Sequence, residues 1–111
     1  MAKCSFNGDD PRIYEMQAKI CKSFANPIRL RILDLLAKEE HTVTELQQVL
    51  KIAVPNVSQH LAILKNAGVV KTRREGKQIY CSLAIPEVKD ACALVRSVLR
   101  AQIRNDRILV A

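Results

Sequence analysis

The order of signals between Thr42 and Leu83 leaves few folds open. Thr42-x-x-Glu45 is a capping box, in which each residue's side chain satisfies the other's backbone N–H at a helix start. Val43, Leu46, Val49 and Leu50 follow on one helical side. After the link Ile52-Ala53-Val54-Pro55, the spacing of Val57, Leu61 and Leu64 marks a second helix that stops near Gly68. The period then changes. Val70, Thr72 and Arg74 alternate with Lys71 and Arg73, Glu75-Gly76 supplies a tight turn, and Gln78, Tyr80 and Ser82 alternate with Ile79, Cys81 and Leu83. Two helices joined by a few residues also describe an ordinary helical hairpin. The basic hairpin directly behind them selects a winged helix-turn-helix.

The flanks read as helices. Asp10 is a good N-cap with Pro11 after it, and Ile13, Met16, Ile20 and Phe24 form one stripe. Asn26 and Pro27 repeat the device ahead of Ile28, Leu30, Ile32, Leu33, Leu35 and Leu36, which cover more than one face and predict a central helix. A last helix starts around Pro86, with Val88, Cys92, Val95, Leu99 and Ile103 in one stripe and Ala91, Leu94 and Val98 beside it. That arc is wide for a terminal helix, and the apolar first helix is its natural neighbour. The expectation is a mainly α winged helix-turn-helix of five helices with a β-hairpin wing. It is a single domain over residues 1–111 that forms a homodimer through its first and last helices. Residues 1–9 are expected to be a flexible arm, and residues 107–111 either a loose tail or a further dimer contact.

Charge narrows the partner. The net charge is +7, from 18 Lys and Arg against 11 Asp and Glu. Residues 51–77 carry Lys51, Lys65, Lys71, Arg73, Arg74 and Lys77 against Glu75 alone. A basic segment of this kind is the footprint of a polyanion, most simply nucleic acid. The only aromatic residues are Phe6, Tyr14, Phe24 and Tyr80, too few for base-stacking recognition of single strands. No run approaches the roughly 18 apolar residues needed to cross a bilayer, and the opening residues lack the apolar core of a secretory signal. A cytoplasmic location is expected. There is no nucleophile–base motif, no glycine-rich phosphate loop and no paired carboxylate site, so an enzyme is not expected, nor is a resident metal or cofactor.

The run Asn26-Pro27-Ile28-Arg29-Leu30-Arg31-Ile32-Leu33, then Val57-Ser58-Gln59-His60-Leu61, then Arg74-Glu75-Gly76-Lys77, resembles the ArsR/SmtB family of bacterial transcriptional repressors. The three stretches are similar to its second helix, recognition helix and wing tip, and the likeness extends over about residues 15–85. It implies a winged-helix homodimer on a promoter inverted repeat, released by an effector. Ala53-Val54 departs from the Ser-Gln often found there, and Ala53 is a poor N-cap.

Physical reasoning assigns roles beside that likeness. Surface helices usually present Lys and Glu, yet this one begins with Asn56, Ser58, Gln59 and His60. In a major groove Asn and Gln can each bond an adenine edge in a bidentate way. Asn56 and Gln59 are the expected base readers, with Ser58 and His60 touching bases or phosphate; His60 could equally bond within the domain. Lys51, Lys65, Arg73 and Lys77 are expected along the DNA backbone, with Lys71 and Arg74 completing the basic wing tip. A protein-docking winged helix is the competing class, and the basic wing disfavours it.

The effector is less constrained. Metal-sensing relatives often carry two cysteines where this chain has Thr42 and Thr44, and hydroxyls are poor ligands for soft metals. The last helix has no histidine. What remains is Cys21 and Cys92 on the two helices expected at the dimer interface, with Cys4 on the arm and Cys81 on a wing strand. Three readings stay open: thiols sensing an oxidant or reactive sulfur, thiols binding a soft metal or arsenite, or small core hydrophobes.

Overall fold

A computed structural model describes residues 10–105; Cys4, the rest of the expected arm and the tail lie outside the described residues. Each helix starts where a side chain or proline makes starting easy. Asp10 caps α1 (Pro11–Phe24), its Oδ1 accepting from the Arg12 N–H at 2.9 Å. Asn26 caps α2 (Pro27–Lys38), its Oδ1 accepting from the N–H groups of Ile28 and Arg29 at 2.9 and 3.2 Å. Thr42 and Glu45 close a full capping box on α3 (Val43–Leu50), at 3.0 and 2.8 Å. Position 42 thus serves as a helix cap, a second reason why it need not be a ligand.

Lys51 ends α3 in the left-handed region at φ 58°, a conformation that usually favours glycine or asparagine. It turns the chain into α4 (Val54–Asn66), whose N-cap Ala53 makes no side-chain bond. Gly68, at φ +81°, closes α4 in a Schellman motif: its N–H donates to the Lys65 carbonyl at 3.0 Å, and the Val69 N–H to the Leu64 carbonyl at 3.1 Å. The wing follows as β2 (Val70–Glu75) and β3 (Gln78–Leu83), antiparallel, with Arg73 opposite Tyr80 and Glu75 opposite Gln78. Gly76 takes φ +61° at the first loop position, as a II′-type hairpin turn requires. α5 (Glu87–Arg104) closes the chain, with Glu87 and Asp90 complementing the dipole at its start.

The architecture is the expected winged helix-turn-helix, with five helices among the described residues, and it adds one strand. The two residues of β1 (His41–Thr42) pair antiparallel with β3 and complete a sheet ordered β1-β3-β2. The core joins Ile32, Leu33 and Leu36 of α2 with Leu46 and Leu50 of α3 and with Val57, Leu61 and Leu64 of α4. α2 is central as its wide apolar arc foretold, touching every other helix and β3.

One detail differs from expectation. Val49, placed on the buried side of α3 by its spacing, is 44% exposed, because α3 is only eight residues long and Leu46 and Leu50 already fill its contact. Within one protomer α5 packs mainly on α2, and α1 on α2 and α4. The first and last helices line one groove with α2. Replacing Thr42 by Ala removes the capping box and should lower stability by about 1 kcal/mol in urea unfolding, with the fold retained.

Candidate nucleic-acid interface

The core stripe of α4 decides what its other face presents. Val57, Leu61 and Leu64 are buried, while Asn56, Ser58 and Gln59 are exposed. At about 100° per residue Gln59 lies roughly opposite that stripe, so its amide points away from the domain. From Val54 to Leu64 the helix carries no Lys, Arg, Asp or Glu. The exposed first turn therefore offers donors and acceptors without a fixed charge.

The basic residues of the segment 51–77 are not equivalent. Lys51, Lys71, Arg74 and Lys77 are exposed and make no ion pair with the described residues. Lys65 donates from Nζ to Thr72 Oγ1 at 3.0 Å, tying the end of α4 to the first wing strand. Arg73 is engaged more fully. Its Nε bonds Glu75 Oε2 at 2.7 Å, its Nη1 pairs with Glu40, and its guanidinium lies over the Tyr80 ring, 4.6 Å from the centroid. Arg73 thereby spans β2, β3 and the residue before β1.

His60 is half-buried, with Nδ1 3.3 Å from Arg29 Nη1. A guanidinium can only donate, so Nδ1 accepts and the proton of the neutral ring sits on Nε2. Burial, then the nearby Arg29 charge, holds the His60 pKa below its ordinary value of 6.5. The same guanidinium donates from Nε to the Ser23 carbonyl at 2.8 Å, at the end of α1. Arg29 thus joins the end of α1 to α4, a role that sequence reasoning did not assign. The available signal was its place in the first turn of α2, where the helix dipole disfavours a cation.

The thiols separate. Cys81 is fully buried in the core, and desolvation pushes its pKa up to about 11. Cys21 is exposed and Cys92 half-buried, and both line one groove of about 450 Å³ with Phe24, Leu30, Val95 and Leu99. Burial, then Asp34, raises the Cys92 pKa. Among the described residues no three His, Cys, Asp or Glu side chains gather in a way that could hold a metal ion. No described helix is long and apolar enough to cross a membrane.

Residues 26–72 match the family described as "Bacterial regulatory protein, arsR family". The HTH-type transcriptional regulator Rv0081 of Mycobacterium tuberculosis is 37% identical over 99 residues, covering 88% of this chain and 86% of that one. The chain belongs to the ArsR family. The crystal structure of Rv0081 agrees at a TM-score of 0.77 over 90% of this chain and 99% of that one. A homodimeric winged helix-turn-helix DNA-binding domain, Mb0332 of Mycobacterium bovis, is 32% identical with a TM-score of 0.77, over 88% and 91%. The transcriptional repressor BigR of Xylella fastidiosa is 30% identical with a TM-score of 0.71, over 78% and 89%. As a member of the ArsR family this chain is a DNA-binding transcriptional regulator, not an enzyme.

The His60 contact gives a pH dependence with a defined sign. Because the folded pKa lies below 6.5, the unfolded chain holds more protons in the window between the two values. Stability should fall as pH drops through that window, and His60→Gln should flatten that part of the profile in urea titrations at stepped pH.

Proposed function

We propose that this ArsR-family protein is a repressor that binds a promoter inverted repeat as a homodimer and leaves it when thiols on α1 and α5 are modified. The observation that carries the DNA reading is the uncharged exposed turn of α4, with Asn56 and Gln59 exposed, in a segment whose Lys51, Lys71, Arg74 and Lys77 make no ion pair with the described residues. In a major groove Gln59 and Asn56 read base edges, and Ser58 touches base or phosphate. His60 offers its Nε2–H from a ring oriented by Arg29. Lys51, Lys71, Arg74 and Lys77 hold the backbone, with Lys65 beside them. Arg73 contributes to the same field while its ion pairs keep the wing stiff.

Dimerisation is supported by an apolar surface that one protomer leaves uncovered. Leu94, Val95 and Val98 are 60–68% exposed on α5, and Tyr14 and Met16 are 63% and 55% exposed on α1. Covering such side chains with a second copy stabilises each by up to about 1.5–3 kcal/mol. Two copies also set two recognition helices at the spacing of an inverted repeat.

The thiol reading rests on Cys21 and Cys92 lining one groove between α1, α2 and α5. A peroxide oxidises the exposed Cys21 to a sulfenic acid with release of water, and the Cys92 thiol condenses with it, releasing a second water and leaving a disulfide. In the reducing cytoplasm the pair rests as thiols. A link between α1 and α5 alters the helices of the dimer contact and so the separation of the recognition helices. Cys4 would be an additional thiol.

Gln59→Ala should relax preference at one operator position, worth about 1–3 kcal/mol of discrimination. Lys77→Ala should weaken specific and random duplexes alike and reduce the salt slope by about one unit. Fluorescence anisotropy across salt concentrations reads both, and parent-like behaviour of both variants would sink the repressor reading. For the thiols, peroxide should release operator DNA from the parent but not from Cys21→Ser or Cys92→Ser. Equal release from all three returns these cysteines to a packing role.

A further inference from the structure

α5 has two faces of different chemistry. Leu94 and Val98 belong to its exposed apolar stripe. Lys89, Ala93, Arg96 and Arg100 recur at spacings of four, three and four, and at about 100° per residue their centre lies about 150° away. That second face borders α2 and lines an open groove of about 560 Å³. Lys38 and Asp34 enter it from α2, and Leu33, Ala37, Cys92 and Ala93 supply apolar surface. The small side chains Ala37 and Ala93, one on each wall, leave the space between the helices unfilled.

The charge in this groove is lopsided and lies outside the segment assigned to DNA reading. Four cations, Lys38, Lys89, Arg96 and Arg100, meet one carboxylate, Asp34. Asp34 lies 3.5 Å from Arg96, and Lys38, Lys89 and Arg100 make no ion pair with the described residues. None of the four falls within the basic segment 51–77, and no residue of α4 or the wing lines the groove. Outside residues 51–77 the chain carries 12 basic and 10 acidic residues. A third of those basic residues converge on this one cleft.

We propose that the α2–α5 groove is a binding site for a small organic acid. The guanidinium groups of Arg96 and Arg100, four residues apart on one helix face, suit a carboxylate, which accepts two parallel N–H bonds from such a fork. Lys38 and Lys89 add charge as mobile ammonium groups. Leu33, Ala37 and Ala93 receive the apolar body, which a bare inorganic anion lacks. The volume is that of a small-molecule site rather than of a macromolecular contact. Cys92 lies in this groove and in the thiol groove, so an occupant sits beside the residue assigned to effector sensing. That regulatory link rests on the thiol reading above; binding itself does not.

The test uses the full chain and phthalate, an aromatic dicarboxylate, as the probe. Inorganic phosphate and the neutral dimethyl ester of phthalate serve as comparisons, with the methyl resonances of Ala37 and Ala93 followed by NMR. Phthalate should shift both saturably, and Arg100→Gln should weaken its binding at least about ten-fold. Ala93→Leu, which fills the groove without changing charge, should abolish it, and it keeps the question answerable if the arginine variant folds poorly. No saturable shift, or parent-like binding by both variants, overturns the proposal. A response to phosphate as strong as to phthalate marks a cationic patch and overturns it, and an equal response to the ester removes the role given to the arginines. Operator binding without phthalate should be unchanged in both variants. Loss of operator binding by the parent would instead count against the repressor reading and leave the phthalate result standing.

Discussion

Burial of Val57, Leu61 and Leu64 against α2 and α3 is the constraint from which the interface follows. Each of these side chains contributes about 1.5–3 kcal/mol when removed from water. Rotating α4 by one residue would move the stripe by about 100° and bring Ser58 toward the core, where an unpaired hydroxyl costs about 1–3 kcal/mol. The helix therefore has one stable rotation, and it turns Gln59 outward. Specific base reading needs this fixed presentation, because a side chain that rotated freely with its helix could not select a base edge. The capping box of α3 and the Schellman closure of α4 add local definition at two of the adjoining helix ends.

Around that fixed helix, the charged residues divide into struts and free cations. Arg29 reaches a carbonyl at the end of α1 and the ring of His60 on α4, joining a helix with an exposed apolar side to the recognition helix. Arg73 makes ion pairs at both ends of its reach and stacks on Tyr80, which stiffens the wing. Exposed ion pairs of this sort add little to global stability. Their contribution is orientation, since each holds a flexible element against a rigid one. Lys71, Arg74 and Lys77 have no such ion pair among the described residues, which leaves their charge available to phosphate.

Much of this fold was legible in the sequence, because it was written in local codes. The proline-led helix starts, the Thr42–Glu45 box, the Val57–Leu61–Leu64 stripe and the Glu75-Gly76 turn act over a few residues each. What was not legible acts across distance. A two-residue strand such as β1 has no period to detect, and its pairing with Tyr80 and Cys81 depends on the wing folding back. The partner of Arg73 at Glu40 is 33 residues away, and that of Arg29 at His60 is 31. Of Asn56, Ser58, Gln59 and His60, the first three are exposed and His60 is half-buried, and helical spacing alone accounts for the exposure opposite the buried stripe. Which of the neighbouring cations were already engaged within the fold depended on tertiary contacts.

α5 shows why reading by apolar stripe alone misses chemistry. A stripe recurring from Val88 to Ile103 invites a single assignment, yet only Val88 at its start is buried in the protomer. The central part of the stripe is exposed, while the polar residues at the intervening positions, Lys89, Arg96 and Arg100, border α2. α5 is anchored on the core at its start by Val88 and Cys92, while its later half carries exposed apolar and cationic side chains. In the proposed function a covalent link at Cys92, or a ligand beside it, shifts the part of α5 beyond this anchor. The recognition helix is held by a filled core, so it can follow such a shift only as part of the whole domain. In the proposed function a change near α5 therefore acts on the distance between two such domains through the exposed stripe, while the packing that turns Gln59 outward within each protomer stays as it is.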